Sequence, residues 1–344
     1  MRFAFTQFVR AAIVGLLLML SAVVDAAEMQ PAPAQMPLPA SAPQAVCPPT
    51  LLLGEVFDCS LGAAQEADEY SFDASINDVF VFRVLRTSGA FAPRVTVLEQ
   101  SGCNQSNSTK VVFECTMLSS GTFHLQIKNY YQNADTGDYQ VYAQRVNKPG
   151  NVAPLGFGGL YTGTISPQIA SVSYEFAANA NDLLMIRVKP TSGTIAPDVR
   201  VYNSQGVRIQ ECSKSNNTYA RIESCSISET GTYFLFVSDY YTSNTGGYQL
   251  FIQRYNQPGQ AKPIVLGTTY NEALTAGIRL NAYTFTAQAN DQLILRVYRV
   301  SGTMAPYLRV FDANGNIICY DSSNGDFTRV EPCVITASGR FPYS

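Results

Sequence analysis

Apolar and polar residues alternate one for one along most of the chain. In Tyr233-Phe-Leu-Phe-Val237 the residues Tyr233, Leu235 and Val237 share one face, and Phe123, Leu125 and Ile127 take the same places in an earlier stretch. Alternation of period 2, rich in Val, Ile, Tyr and Phe and broken by Gly, Asn and Pro, predicts half-buried antiparallel strands. No stretch after residue 26 combines a helical period with caps. Roughly eight such runs in each ~110-residue stretch, with turns between them, predict two-sheet sandwiches.

The pattern repeats. Asn77-Asp78, Asn181-Asp182 and Asn290-Asp291 each open an apolar run containing Arg-Val, at Arg83-Val84, Arg187-Val188 and Arg296-Val297. Ser-Gly follows (Ser88-Gly89, Ser192-Gly193, Ser301-Gly302), then Ala-Pro (Ala92-Pro93, Ala196-Pro197, Ala305-Pro306). Upstream, Tyr70-x-Phe72, Tyr174-x-Phe176 and Tyr283-x-Phe285 keep the register, and QRVNKPG ending at Gly150 matches QRYNQPG ending at Gly259. From the Tyr-x-Phe pair to the Ala-Pro motif the copies are offset by 104 and then 109 residues. Solenoid units are ~20–50 residues long, so each copy here is large enough for its own core, and the expectation is a set of beads on a string. The fold class expected is all-β: tandem antiparallel, jelly-roll-like sandwiches at residues 47–150, 151–259 and 260–344. The third is incomplete, because Gly339-Arg-Phe341 aligns with Gly231-Thr-Tyr233 and the last two strands of the repeat have no counterpart. This reads as a truncated product or a fragment.

Residues 1–26 read as a secretory signal peptide: Arg2 and Arg10, an apolar run from Ala11 to Val24, then small residues around Ala26. A helix of that run rises about 21 Å, short of the ~30 Å hydrocarbon core, so no membrane association is expected after cleavage. Residues 27–46 form a Pro/Ala-rich spacer, extended because proline fixes φ and removes donors. Export makes the eight cysteines legible as disulfides. Cys103/Cys115, Cys212/Cys225 and Cys319/Cys333 stand at equivalent places in the three copies, on what the spacing suggests are adjacent strands joined by a loop, and Cys47/Cys59 remain to pair in the first. No CxxC spacing favours a metal instead.

Composition narrows the chemistry. With 23 basic and 26 acidic residues the chain has no long-range field to gather nucleic acid or anionic lipid. It has one histidine and no tryptophan, and no GxSxG or HExxH motif. His124 lies on the outward side of its strand and is replaced by Phe234 in the second copy, so it is not a general base. Asp78, Asp182 and Asp291 follow Asn in turns, where Asx residues serve the backbone. Arg83, Arg187 and Arg296 interrupt apolar strands and are expected to lie along the sheet or to pair with a carboxylate. The candidates for recognition are Tyr130, Tyr131, Tyr240 and Tyr241, in loops rich in Asn, Ser and Thr that follow the GTF/GTY strand. Asp135, Asp138 and Asp239 in or beside the same loops are weak calcium candidates. No cofactor and no catalytic residue is expected.

Each copy resembles the bacterial pre-peptidase C-terminal domain in its YxF before an Asn-Asp turn, its RVxRxSG-type strand, its AP-x-V-x-V strand, and GTY/GTF-x-L-x-V followed by TGxY. The last group reads Gly121-Thr-Phe-His-Leu-Gln-Ile127 with Thr136-Gly-Asp-Tyr139, and Gly231-Thr-Tyr-Phe-Leu-Phe-Val237 with Thr245-Gly-Gly-Tyr248. The resemblance implies a secreted, non-catalytic sandwich of the kind that accompanies extracellular peptidases. The expected function is binding to an extracellular polysaccharide, protein or cell surface, or service as a spacer. The alternative is the N-terminal fragment of a larger secreted hydrolase.

Overall fold

The computed structural model describes residues 45–62, 66–131, 134–275 and 277–344. The expected signal peptide, and the spacer up to residue 44, lie outside the described residues. The first copy contains β1 (Ala45–Val46), β2 (Val56–Leu61), β3 (Ala67–Ala74), β4 (Val79–Arg86), β5 (Pro93–Val97), β6 (Asn104–Ser106), β7 (Lys110–Thr116), β8 (Gly121–Asn129) and β9 (Gly137–Arg145). The second contains β10 (Val152–Pro154), β11 (Leu160–Ile165), β12 (Ser171–Ala178), β13 (Leu183–Pro190), β14 (Pro197–Asn203), β15 (Lys214–Ser215), β16 (Ala220–Ser226), β17 (Gly231–Asp239) and β18 (Gly246–Arg254), with a 3-10 turn at Gln210–Cys212. The third contains β19 (Lys262–Pro263), β20 (Tyr283–Ala287), β21 (Gln292–Tyr298), β22 (Tyr307–Phe311), β23 (Ile317–Ser322), β24 (Phe327–Val334) and β25 (Gly339–Tyr343).

The chain is all-β, and its strands form pairs of sheets. The orders are β1-β2-β9-β4-β7 with β3-β8-β5-β6, then β11-β18-β13-β16 with β10-β12-β17-β14-β15. The third pair is β19-β20-β25-β22-β23 with the two-stranded β21-β24. Neighbours are antiparallel except for three short pairs, β1 with β2, β10 with β12 and β19 with β20. The first of these draws Ala45 and Val46, expected in the spacer, onto the first sheet.

The repeated landmarks are turn chemistry. Asn77, Asn181 and Asn290 have φ of 66°, 69° and 72°, a left-handed conformation that Asn tolerates. The carboxylate of the following Asp accepts the N–H of Ser75, Asn179 or Gln288 at 2.8 Å, so these aspartates shape the turn, as the sequence suggests. Buried Asp78 and Asp182 also pair with Arg145 and Arg254 at 3.2 and 3.1 Å. At the Ser-Gly turn, a Cβ on Gly89 or Gly193 would lie 2.1 Å from the carbonyl oxygen of Thr136 or Thr245. Only glycine lets the turn pass that close to the start of the last strand.

Each stack has its own core. Phe72, Phe80, Phe82 and Phe123 lead the first, Tyr174, Leu184, Ile186 and Leu235 the second, and Phe285, Leu295, Val310 and Phe341 the third. Cys47–Cys59, Cys103–Cys115, Cys212–Cys225 and Cys319–Cys333 are bonded, with Cα–Cα separations of 5.0, 5.5, 4.8 and 5.7 Å. The three repeated bridges do not join neighbouring strands of one sheet, as their spacing suggested. Cys319 on β23 and Cys333 on β24 belong to opposite sheets, and the other two likewise tie the end of one sheet to the other. The short loop carries the chain from one layer to the next, which a sequence separation cannot distinguish from a hairpin.

The sandwiches are not beads on a string. A buried apolar cluster runs from Val79, Val81 and Tyr142 of the first to Ile169, Tyr202, Phe234 and Phe236 of the second. A second joins Met185, Phe251 and Tyr255 to Ile278 and Phe311 of the third. Arg83 is buried here, where the expectation was an outward arginine lying along the sheet or paired with a carboxylate. Its guanidinium donates from Nη1 to the Ile169 carbonyl at 3.1 Å and from Nη2 to Ser238 Oγ at 3.1 Å. Arg187 repeats this, donating to the Ile278 carbonyl at 3.2 Å while its other edge holds Glu223 at 2.9 and 3.0 Å. Gly206 sits against Val79 and Gly315 against Leu183, so one turn presses on the same strand position at both seams. The QRxNxPG segments anchor the crossings: Gln144 and Gln253 each donate to the carbonyl of the linker glycine, Gly150 or Gly259, and accept its N–H.

Candidate functional site

The two tyrosine loops are built alike, from the Ala-Pro motif upward. Asn129 Oδ1 accepts the N–H of Ala92 at 3.1 Å, and the N–H of Tyr130 donates to the Ala92 carbonyl at 2.8 Å. In the second sandwich Asp239 Oδ1 accepts from Ala196 at 2.8 Å and Tyr240 donates back to Ala196 at 2.8 Å. The loop cannot swing away from this bracket, and it carries the chain from one sheet to the other: β8 to β9, and β17 to β18.

On that base the rings pack edge to face. Tyr130 and Tyr131 have centroids 5.2 Å apart at 81°, and Tyr240 and Tyr241 5.1 Å apart at 79°. All four rings are exposed, at 48, 67, 53 and 43%. Edge-to-face packing fixes each ring and leaves aromatic face in water, where an apolar partner can cover it. The second loop has further ties: Tyr241 OH donates to Asn217 at 3.1 Å, and Lys110 of the first sandwich donates to the Tyr241 carbonyl at 2.7 Å.

Asp239 and Asp138 both hold hydrogen bonds within their own sandwiches. Buried Asp239 accepts from the backbone of Ala196, Ser243 and Asn244 and from the Asn244 amide. Asp138 accepts from Ser60 at 2.6 Å and Ser88 at 2.8 Å, and these bonds hold its carboxyl below the usual range. Asp135 and Asp138 belong to one sandwich and Asp239 to another, and no cluster of His, Cys, Asp or Glu fit for a metal occurs among the described residues. His124 is exposed and paired with Glu99 at 2.6 Å. Its counterpart Phe234 is buried in the first seam, so the exchange of His for Phe marks which sandwich face has a neighbour.

Strongly displaced titrations are structural. Burial first, then contact between the two phenols, pushes Tyr139 far up, and Tyr248 follows the same pattern with Tyr174. Burial lifts Tyr255 to about 12 against the nearby Arg309. None of these groups lines the tyrosine loops. What sequence reasoning missed is the role of Arg83 and Arg187. The available signal was an arginine fixed at mid-strand in every copy, in a run otherwise apolar.

No family model matches the chain, and no curated protein matches it in sequence. Among solved structures, similarity is found to the arabinofuranosyltransferase AftD from Mycobacteria (9% identity, 84% of this chain and 39% of that one, TM-score 0.21). It is also found to the tandem CBM51 modules of a family 98 glycoside hydrolase from Streptococcus pneumoniae (11% identity, 56% and 81%, TM-score 0.19). A third is the M60 catalytic domain with its two CBM51 domains from Clostridium perfringens ZmpB (8% identity, 55% and 34%, TM-score 0.16). This chain thus spans well under half of the AftD chain it matches. The functional reading rests on this chain's own residues.

Proposed function

We propose that this chain is a secreted, non-catalytic binding protein built of tandem β-sandwich modules, of the kind its motifs resemble in bacterial pre-peptidase C-terminal domains. It would hold an extracellular polysaccharide through Tyr130 and Tyr131 and through Tyr240 and Tyr241. The observation that carries this reading is the recurrence, in two sandwiches, of an exposed edge-to-face tyrosine pair on a loop pinned by the same backbone bracket. Exposed ring faces beside amide and hydroxyl side chains suit a neutral sugar polymer, whose C–H faces stack and whose hydroxyls hydrogen-bond. Two sites on firmly seated modules gain by avidity on a repeating ligand. Four disulfides fit maturation in an oxidising compartment.

The test is retention on a panel of insoluble polysaccharides. The paired change Tyr130→Ala with Tyr131→Ala should weaken binding by roughly tenfold, and all four changes together should abolish it, with thermal stability unchanged. Retention that survives the fourfold change overturns this site.

A further inference from the structure

We propose that the two tyrosine loops are the ends of one binding strip across the first seam, which holds a single extended, unbranched polysaccharide chain along its length. This rests on the reading of those loops as sugar-binding, and adds that the seam itself is part of the site.

Both loops stand at the same end of the array. The N–H of Tyr130 donates to the Ala92 carbonyl, and the neighbouring Pro93 carbonyl accepts the N–H of Asn107 at 3.1 Å. Residues Asn107, Ser108 and Thr109 form the exposed turn from β6 to β7, where Asn107 Oδ1 accepts the Thr109 N–H at 3.2 Å. Strand β7 then starts at Lys110, whose ammonium donates to the Tyr241 carbonyl of the second sandwich at 2.7 Å. The surface therefore runs from Tyr130 and Tyr131, past this turn, to Tyr240 and Tyr241, and on to Asn217 beneath the Tyr241 hydroxyl. Between Tyr130 and Lys110 it crosses from β8 to β6 and then from one sheet to the other, a path of about 20 Å at ordinary strand and sheet spacings.

The far end of the strip is fixed against the near end. The Tyr241 carbonyl also accepts the hydroxyl of Thr242 at 2.7 Å. Thr242 is buried and has φ of 54°. A β-branched residue is rarely left-handed and stays so only where its surroundings enforce it. That turn brings the Tyr241 carbonyl to Lys110. Further along β7, Glu114 accepts from Tyr202 OH at 2.6 Å and from Arg200 at 3.2 Å, so one strand grips the second sandwich at two places. Packing, not a free linker, thus sets the distance between the tyrosine pairs, and nothing has to be ordered when one ligand spans both. An ammonium has three donors, so Lys110 can hold the loop and still offer N–H groups to a sugar hydroxyl, beside the amide and hydroxyls of the 107–109 turn.

The test titrates the full chain with soluble linear sugars: cellobiose, xylobiose and chitobiose against cellohexaose, xylohexaose and chitohexaose. At least one hexamer should bind one to one, and tenfold or more tighter than its own dimer. Phe234→Ser with Phe236→Ser keeps all four tyrosines but removes the apolar contact of the seam, and should bring that hexamer down to about the affinity of the dimer. Lys110→Met should weaken the hexamer by about fivefold and Lys110→Arg should restore most of it, with dimer affinity and melting temperature unchanged in both. Two hexamers per chain, equal affinity of hexamer and dimer, or hexamer binding that ignores these changes overturns the strip. So does the absence of binding by every hexamer. The separate reading of the tyrosine pairs is judged by retention on insoluble polysaccharides, which the loss of the strip would leave intact.

Discussion

Arg83 illustrates how one residue ties two modules together. Its guanidinium is buried beside Tyr142, 5.8 Å from the ring centroid, and satisfies a carbonyl and a hydroxyl of the next sandwich. Burial lowers its affinity for protons, but an arginine stays charged. Arg83→Ala would empty this space and leave the Ile169 carbonyl without its donor, for a loss of about 2–4 kcal/mol in chemical denaturation. Glycine at the Ser-Gly turn gives a sharper comparison. Gly193→Ala drives a methyl into the Thr245 carbonyl, while Gly302→Ala meets open space and suffers only the strain of a positive φ. Melting should therefore fall much further for Gly193→Ala, and equal falls would show that contact with the last strand is not what the glycine serves.

At the scale of strands, the polar clasp of the second seam joins Arg187 on β13 to Glu223 on β16. Glu223 on β16 is raised by partial burial, but bonds from Arg187 and Arg221 outweigh this and hold its carboxyl below the ordinary carboxylate value. A depressed acid contributes stability above its unfolded pKa and loses it as pH falls through the folded value. Thermal stability should thus drop between about pH 6 and about pH 3, and less steeply in Glu223→Gln, whose own stability is lower near neutrality because Arg187 loses its carboxylate. Parallel profiles for the two proteins would remove Glu223 from the acid response. The bridge between the 3-10 turn and β16 acts on the same sandwich. Replacing Cys212 and Cys225 together by Ser should cost about 3 kcal/mol in the chain-entropy view, since a loop of 13 residues is released.

For the whole molecule, the two faces of the array differ. The seam face of the second sandwich presents Phe234 and Phe236, while the same positions in the first carry His124 and Gln126 in a polar, solvent-facing row. Repeat arrays need polar terminal faces of this kind. Phe234→Ser with Phe236→Ser should separate the first two sandwiches without unfolding either, because both side chains pack in the seam and not in a sandwich core. Small-angle scattering would then show a larger radius of gyration, and proteolysis a new cut near Lys148. Scattering identical to that of the unchanged chain would mean that the polar clasps suffice.

Much of this architecture was legible in the sequence because it depends on neighbours along the chain. Period-2 alternation made strands, and Asn-Asp and Ser-Gly turns followed from φ preferences that are local. Three copies of one pattern made three sandwiches, and the equivalent cysteines identified their own partners. The tyrosine loops were recognisable as paired aromatics among turn formers, though not the bracket that pins them, which joins Asn129 to Ala92 across the fold. What tertiary structure alone decided concerns surfaces that meet at long range. An outward residue on a strand reads the same whether water or another module covers it, so Arg83 in a seam and Arg296 at 56% exposure have identical local sequence signals. Likewise, a separation of 12 to 14 residues cannot say whether a disulfide stays within a sheet or crosses between two. Which surfaces are buried depends on what packs against them, and alternation along one strand carries no record of that.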